Sequence, residues 1–550
     1  MLPRLRALLL FGFVLSTPVA LAKDKWTELN IGPFYIDTQD DVAAARNDLT
    51  QLEQVRWVLG GLLESKDLPS LWPIRVLLLK NAKTNPNGFV LQQGRWLLVT
   101  SSERPLPLGQ VALILLQANT QRLPPEVEAG LPALFSTIEA HGAHVTWGTA
   151  PAHPDLNWAR MQLFATKWEY SLSFHIFLAA LKSGTDMRAA ERNAFGQDPA
   201  VLEREVAANL AKGNWPPTTF SGRPLDPKRD FGEHEIDDAS AQVYIANANL
   251  ESNPDAAEDA YKAAIAAGGR AAVLGYDGMA GLAELRHQNP KEWYDHAIKA
   301  GSHDAIDFVG AAQGLNETQG LPLLKQAEAL NPMWAEPVFE QANLAADDHE
   351  RLDLLKKATR LDPRDTEYWV ALAQLQTTLG DAAIAQSSWV RAEDSAATPA
   401  ERDRLHQERV QSEQDRLDAA EAAAKREREA VHQDDQRAQD AEAARIRAAE
   451  ERANKGKNDA PPGEVLPWSA VVPEKHLTGR ITAVDCLGSN ARLEVQDRAG
   501  KQISLLLKDA ASLGLPCGPQ KPARTASISY SAAPNDRLQT AGQVTSLKIQ

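Results

Sequence analysis

Apolar positions change their period several times between residues 23 and 222, and each change marks an element. Phe34-Tyr-Ile-Asp-Thr38 is a short strand-like run, whereas Val42, Leu49, Leu52, Val55, Val58 and Leu62 recur at helical spacing across 41–64. Dense apolar runs at 74–80 and 96–100 predict buried strands. Residues 108–117 and 127–140 predict a helical pair joined through Pro124-Pro125. Residues 144–147 return to a strand, and two more helices are expected near 170–181 and 199–210. This mixture predicts an α+β domain over 23–222. Its end overlaps a polar, Pro-rich stretch from Pro216-Pro217 to Asp230 that reads as a linker.

From about 237 to 394 the pattern is purely helical, and it repeats. Ala264, Ala297, Ala327, Ala358 and Ala392 stand in matching contexts at intervals of 30 to 34 residues. That period is the length of a helix–turn–helix unit and predicts an all-α solenoid; an irregular helical bundle would obey the same packing rules. In the last unit Trp369, Leu372, Ala373, Gly380, Ala385, Trp389 and Ala392 match the core offsets of the tetratricopeptide repeat, which this region resembles. The resemblance implies that the first helix of each unit lines a concave face. Glu367, Val370, Gln374 and Thr377 then form the candidate groove of the final unit. That set suits hydrogen bonding to an extended protein or peptide partner more than capture of a carboxylate.

Residues 398–455 predict one long helix. Thr398-Pro399-Ala400-Glu401 has the form of a capping box, and neither Pro nor Gly follows before Ala453. Val410, Leu417, Ala424, Val431 and Ala438 make one seven-residue column, but the partner column is polar: Gln414, Glu421, Arg428, Asp435 and Glu442. A strong coiled coil needs both columns apolar, so a single charged helix and a weakly self-associating one both remain open. Residues 456–473 form a flexible linker. Residues 474–550 predict five short strands, a small all-β barrel or sandwich.

Charge and the chain start narrow the function. The 550 residues carry a net charge of −15. This argues against nucleic acid as a partner, which requires a basic face, and against adsorption to anionic lipid. Residues 1–22 predict a signal peptide: Arg4 and Arg6, a short apolar run over 7–15, and the small residues Ala20-Leu-Ala22. Beyond it no stretch is long and apolar enough to predict a transmembrane segment in the mature chain. The protein is therefore expected to be exported, to the periplasm or the extracellular side of the cell envelope. Both cysteines, Cys486 and Cys517, lie in the small C-terminal module, which predicts that they pair.

Candidate chemistry is sparse. There is no Gly-x-Ser-x-Gly elbow, no phosphate-cradling loop and no dinucleotide fingerprint. The segment from Gly109 through Ser136 resembles the core of the peptidase MA-like gluzincins, in which a His-Glu-x-x-His helix precedes a second helix bearing the third zinc ligand. That resemblance covers about 23–215 and implies a peptidase-like fold. The ligand positions hold Gly109, Leu113 and Ala129, and the general-base position holds Gln110. None of these binds zinc as imidazole or carboxylate, and an amide cannot take a proton from water at neutral pH. His141-x-x-His144 with His153 nearby, and His175, are more readily surface or helix histidines than ligands. No cofactor and no metal is expected. The expected function is a non-enzymatic exported scaffold or adaptor that binds proteins through its repeats. A cell-envelope spacer and a hydrolase with an unrecognised active site are the alternatives.

Overall fold

A computed structural model of the protein describes residues 25–39, 41–80, 82, 88–455, 473–508 and 514–550. The expected signal peptide, and nearly all of the expected 456–473 linker, lie outside the described residues. The chain forms two compact units, one running through Arg428 and the other from Glu429.

The first unit opens with β1 (Trp26–Ile31), β2 (Phe34–Thr38), α1 (Val42–Leu62), β3 (Ile74–Leu78), β4 (Val90–Gln92) and β5 (Arg95–Thr100). Next come α2 (Leu108–Asn119), α3 (Pro125–Phe135), β6 (Glu139–His141), β7 (His144–Trp147), α4 (Leu156–Thr166), α5 (Trp168–Ser171) and α6 (Phe174–Lys182). The α+β part ends with α7 (Met187–Phe195), α8 (Pro199–Ala211), β8 (Thr218–Ser221), α9 (Pro227–Asp230) and β9 (Gly232–Ile236). The main sheet has the order β4-β5-β3-β2-β1-β9, with β3 parallel to both β2 and β5. All five residues of β3 are buried, as expected for a parallel strand covered on both faces. Asp41 starts α1 by accepting from Ala44 N at 2.8 Å, and Leu49, Leu52, Val55 and Leu59 then fill the core.

Two sequence expectations are corrected here. The helix expected over 127–140 stops at Phe135; Glu139–His141 instead form a hairpin with His144–Trp147, Gly142 taking a positive φ in its turn. The stretch expected as a linker over 216–230 belongs to the domain. β8 pairs with β7, and Phe220 packs edge-on to Trp147 at 5.1 Å; just beyond the stretch, β9 pairs with β1. Gln54 clamps the same stretch, donating to Arg223 O and accepting from Arg223 N. Prolines and charges resemble a linker in sequence, but their backbone hydrogen bonds are made by sheet edges.

The repeat region comprises α10 (Asp238–Ala248), α11 (Pro254–Ala267), α12 (Gly269–Leu285), α13 (Lys291–Lys299) and α14 (Ala305–Ala312). It continues through α15 (Glu317–Leu330), α16 (Glu336–Leu344), α17 (Asp348–Leu361), α18 (Thr366–Thr378) and α19 (Ala382–Ser395). Ala264, Ala297, Ala327, Ala358 and Ala392 are each 0% exposed and recur in α11, α13, α15, α17 and α19. A second small-residue series, Gly278, Gly310, Ala342 and Ala373, recurs on α12, α14, α16 and α18. At Gly278 and Gly310 the rings of Tyr261 and Tyr294 lie where a Cβ would stand. Small residues on both helices of each unit let the pair close, which is what makes the stack a solenoid.

α20 (Pro399–Asn454) begins with half of the capping box as predicted, Glu401 N donating to Thr398 Oγ1 at 3.1 Å, while Glu401 Oε2 accepts from Ala397 N, one residue before the cap, at 2.7 Å. Leu405 is fully buried with Ala373, Trp389, Ala392 and Ala396, so the first turns of α20 close the end of the stack. Val410, Leu417 and Val431 are each about half exposed.

The second unit contains a closed barrel of β10 (Glu474–Leu487), β11 (Asn490–Asp497), β12 (Gln502–Leu507), β13 (Gly518–Ser531) and β14 (Gln543–Ile549), in the order β10-β11-β12-β14-β13. Ile481, Val484, Leu493, Val495, Leu505 and Ile528 fill it. Cys486 and Cys517 are joined as a disulfide, tying the end of β10 to the entry of β13.

Candidate functional site

The positions that the resemblance would make three metal ligands and a general base lie on α2 and α3, and of the four only Gly109 is fully buried. Gly109 on α2 is buried against α3, and a Cβ there would lie 2.5 Å from Pro132 O. Gln110 binds Phe89, just before β4, as a backbone would, accepting from Phe89 N at 2.8 Å and donating to Phe89 O at 2.9 Å. Leu113 is half-buried, and Ala129 is exposed on α3. His141 and His144 pair across the β6–β7 hairpin and are exposed, and His175 lies 3.9 Å from Glu64.

The chemically dense region lies where the α+β domain meets the repeats. Four successive turns of the solenoid each send one group to it. Arg95 on β5 donates to Asp304 at 2.5 Å, and also to Asp277 on α12 at 2.8 Å. Asn331 Nδ2 donates to Leu71 O at 3.1 Å. Arg364 donates to Thr120 O at 2.9 Å, to Gln121 O and to the Glu128 carboxylate. Ser395 O accepts from Arg122 Nε at 2.8 Å. These turns recur with the repeat, so one edge of the stack is stitched to the domain at intervals of about one unit. The signal was present in sequence: Leu330-Asn331-Pro332 and Leu361-Asp362-Pro363 are the same turn twice. In each, the Asx side chain accepts from the backbone N–H two residues on.

Between these stitches the loop Ser70-Leu71-Trp72-Pro73 enters as a wedge. Trp72 meets Trp334 edge-to-face at 5.0 Å. A cleft of about 840 Å³ lies on one side, bounded by the 117–122 segment, Lys182 and the turns at 333–336 and 360–365. A second of about 690 Å³ lies on the other, bounded by Arg75, Arg95, Tyr244, Arg270 and the 300–305 turn. The larger cleft has an aromatic lining of Trp72, Trp96, Trp334 and Tyr368.

Burial sets the charge states nearby. Arg364 is pushed below its usual range by burial, which Glu128 partly offsets. Glu336 is raised by burial although Tyr368 donates to it at 2.7 Å. Burial alone would lower Arg95, but Asp304 and Asp277 outweigh it and hold the guanidinium firmly charged. Asp307 on α14 is 0% exposed, and neither carboxylate oxygen has a hydrogen-bond partner in good geometry. Its carboxyl is therefore raised, by burial first and by Asp277 second. Arg75 is sandwiched between the rings of Tyr35 and Tyr244 and donates to Glu28 and Asp37.

The candidate groove of the last unit is partly engaged within the chain. Glu367 and Gln374 are exposed. Val370 is half-buried and packs against the cluster of Ala373, Trp389, Ala392, Ala396 and Leu405. Thr377 is half-buried, its hydroxyl donating to Ala373 O at 2.8 Å.

No family model and no curated protein matches the chain. Among solved structures it is similar to YrrB, described as a TPR protein with an unusual peptide-binding site. That match has 20% identity over 31% of this chain and 92% of that one, with a TM-score of 0.26. It is also similar to the MamA protein, at 12% identity over 28% and 91% of the two chains, TM-score 0.25. A third likeness is to a thermophilic TPR protein of Thermus thermophilus, at 19% identity over 38% and 89%, TM-score 0.17. These likenesses concern the helical fold alone. The chain is multidomain: an α+β region, a region of repeated helix pairs, a long helix and a small β-barrel.

Proposed function

We propose that the protein is an exported, non-enzymatic scaffold or adaptor that binds a protein partner through its repeat region. The observation that carries this reading is the aromatic cleft between the repeats and the α+β domain. It is about the size of a small-ligand or peptide-anchor site and is lined by Trp72, Trp96, Trp334 and Tyr368. The α+β domain then acts as a wall of the binding site. Support for an inactive peptidase-like origin is that Gly109 and Gln110 are committed to packing and to Phe89. A photo-crosslinking amino acid at position 333, in the cleft, tests the reading in an envelope extract. One discrete adduct that disappears with Trp334→Ala supports it, whereas adducts unchanged by that substitution overturn it. Zinc content and peptidase assays on the purified chain test the non-enzymatic part.

The cell-envelope spacer has one observation of its own. α20 runs 56 residues, about 80 Å at the helical rise, and Leu405 is its only buried residue among those described. Fractionation with membrane or wall material that is lost when 419–450 are deleted would favour it.

A further inference from the structure

The chain's negative charge is not shared by its barrel. Residues 474–550 carry ten Lys and Arg against six Asp and Glu, a net charge of +4 in a chain whose total is −15. Part of this excess stands on one outer face. Ile481, Ala526 and Ile528 are buried inside the barrel, so the residues alternating with them on β10 and β13 point out. The strand register sets three outward rows: Arg480 beside Thr525; Thr478, Ser527 and Lys548; and His476, Ser529 and Ser546. Directly opposed side chains in such rows stand about 5 Å apart at Cβ. All are exposed except Ser529, which is half-buried with its hydroxyl 2.8 Å from His476 Nδ1. Arg480, Lys548 and the exposed Arg524, next to Thr525, make no hydrogen bond or ion pair among the described residues. Glu474, at the far end of β10, is the only acidic side chain described on this face, and it accepts from the Thr545 hydroxyl. Asp485 and Glu494 lie instead on the β10–β11 side, about Arg492.

What the rows lack narrows the occupant. They hold no aromatic or large aliphatic side chain, and Tyr530, the only aromatic residue of 474–550, is buried. A single-stranded nucleic acid would find no ring on which to stack its bases. A protein partner would find no apolar centre for a hot spot, and a membrane no side chain to insert. The rows offer cations set among hydroxyls, which both donate and accept. That pattern complements a polymer whose repeating unit carries hydroxyls and an anionic group. We infer that the outer face of β10, β13 and β14 binds an acidic polysaccharide, its carboxylates seated on Arg480, Arg524 and Lys548 and its sugar hydroxyls bonded to Thr478 and Ser527. This surface is separate from the aromatic cleft and does not rest on the reading of that cleft. It also qualifies the expectation drawn from total charge, which speaks for the chain as a whole and not for its basic module.

The test uses the full chain and fluorescein-labelled polygalacturonate oligomers, read by fluorescence polarisation, with labelled neutral dextran, oligo(dT) and polyglutamate of matched charge for comparison. Polygalacturonate is expected to bind at low salt and to weaken as salt rises, and dextran not to bind. Arg480→Glu with Lys548→Glu should weaken polygalacturonate by about 10-fold or more, because two attractive charges become repulsive. The barrel's calorimetric transition, unchanged by these exposed substitutions, is the folding control. Thr478→Val with Ser527→Ala keeps every charge and should still weaken polygalacturonate severalfold. No binding of polygalacturonate, binding untouched by the double charge reversal, or full binding by the hydroxyl-deleted variant would overturn the inference. Oligo(dT) or polyglutamate bound as tightly as polygalacturonate would also overturn it, by showing that charge alone is read. Salt-sensitive self-association removed by the charge reversal, with no polysaccharide bound, would assign the face to a second copy of the chain instead. None of these outcomes bears on the crosslink at position 333, which tests the cleft by itself.

Discussion

Arg364, in the turn between α17 and α18, reaches Glu128 on α3 of the α+β domain and also donates to Thr120 O at 2.9 Å, closing the C-terminal end of α2. One side chain thus neutralises a half-buried carboxylate and satisfies helix-end carbonyls that no intrahelical donor can reach. The side chains of Arg364 and Glu128 are 10% and 16% exposed. Arg364→Ala leaves two carbonyls without their donor and the Glu128 carboxylate with only Leu123 N at 2.9 Å and Arg122 at 3.9 Å, so a loss of about 1–3 kcal/mol is expected in chemical denaturation. Arg364→Lys keeps the charge without the planar fork and should recover less than half. A loss under about 1 kcal/mol for Arg364→Ala would show that solvent replaces the contact.

Gly109 should resist even the smallest enlargement. A methyl group there would lie 2.5 Å from Pro132 O and 3.1 Å from Ser136 Cβ, so α2 and α3 would have to separate. Gly109→Ala is expected to destabilise the α+β domain by about 1–3 kcal/mol, despite the better helix propensity of Ala. It follows that restoring a His-Glu-x-x-His set at 109–113 with an acid at Ala129 should give a poorly folded chain and no stoichiometric zinc. Metal analysis and circular dichroism of that variant check both points.

Reduction should weaken the barrel alone. The Cys486–Cys517 disulfide spans 31 residues, and on the chain-entropy model such a loop stabilises by about 3–4 kcal/mol. The barrel core is small, so the bond is a large share of what holds it. Calorimetry of the full chain with Cys486→Ser and Cys517→Ser should show one transition moved down and those of the first unit unchanged. Identical scans would mean that the bond adds nothing to the folded barrel.

The repeats, the capped helix and the five-stranded module were legible because each rests on local periodicity. The buried alanines, Thr398–Glu401 and the alternation through Leu493 and Val495 are all signals within one element. What escaped was long-range. Nothing local in Gly232–Ile236 says that it pairs with β1 two hundred residues earlier. The cleft was hidden for the same reason. Trp72 and Trp334 are 262 positions apart in sequence, and the fold sets their rings 5.0 Å apart. Gln110 was recognised as unable to act as a base, but its use as a clamp on Phe89 needs the fold to see.

The first unit should lose stability as pH rises through neutrality, because of two carboxyls at the stitched edge. Asp277 and Asp307 are almost fully buried on α12 and α14, beside Asp304, Ser302 and the Arg95 guanidinium. Burial raises both carboxyls, Asp307 to about 9 from 3.8. The folded chain therefore keeps a proton there that the unfolded chain has already released above about pH 4. Where the native state binds more protons, stability falls with rising pH, by up to about 1.4 kcal/mol per unit for each such proton. The window runs from about pH 4 to about pH 9. Asp48, raised to about 7 by burial, adds to the same slope. The lowered carboxyls Glu205, Glu258 and Glu328 act oppositely, losing their contribution only as pH falls below the ordinary carboxylate range. Asp307→Asn mimics the protonated group and should flatten part of the slope, raising stability at pH 8 and changing little at pH 5. Denaturation midpoints measured across pH 5–9 check this. A wild-type midpoint that climbs from pH 5 to pH 8, or an Asp307→Asn profile parallel to wild type, would show that Asp307 is ionised in the folded protein and that Arg95 holds the whole cluster charged.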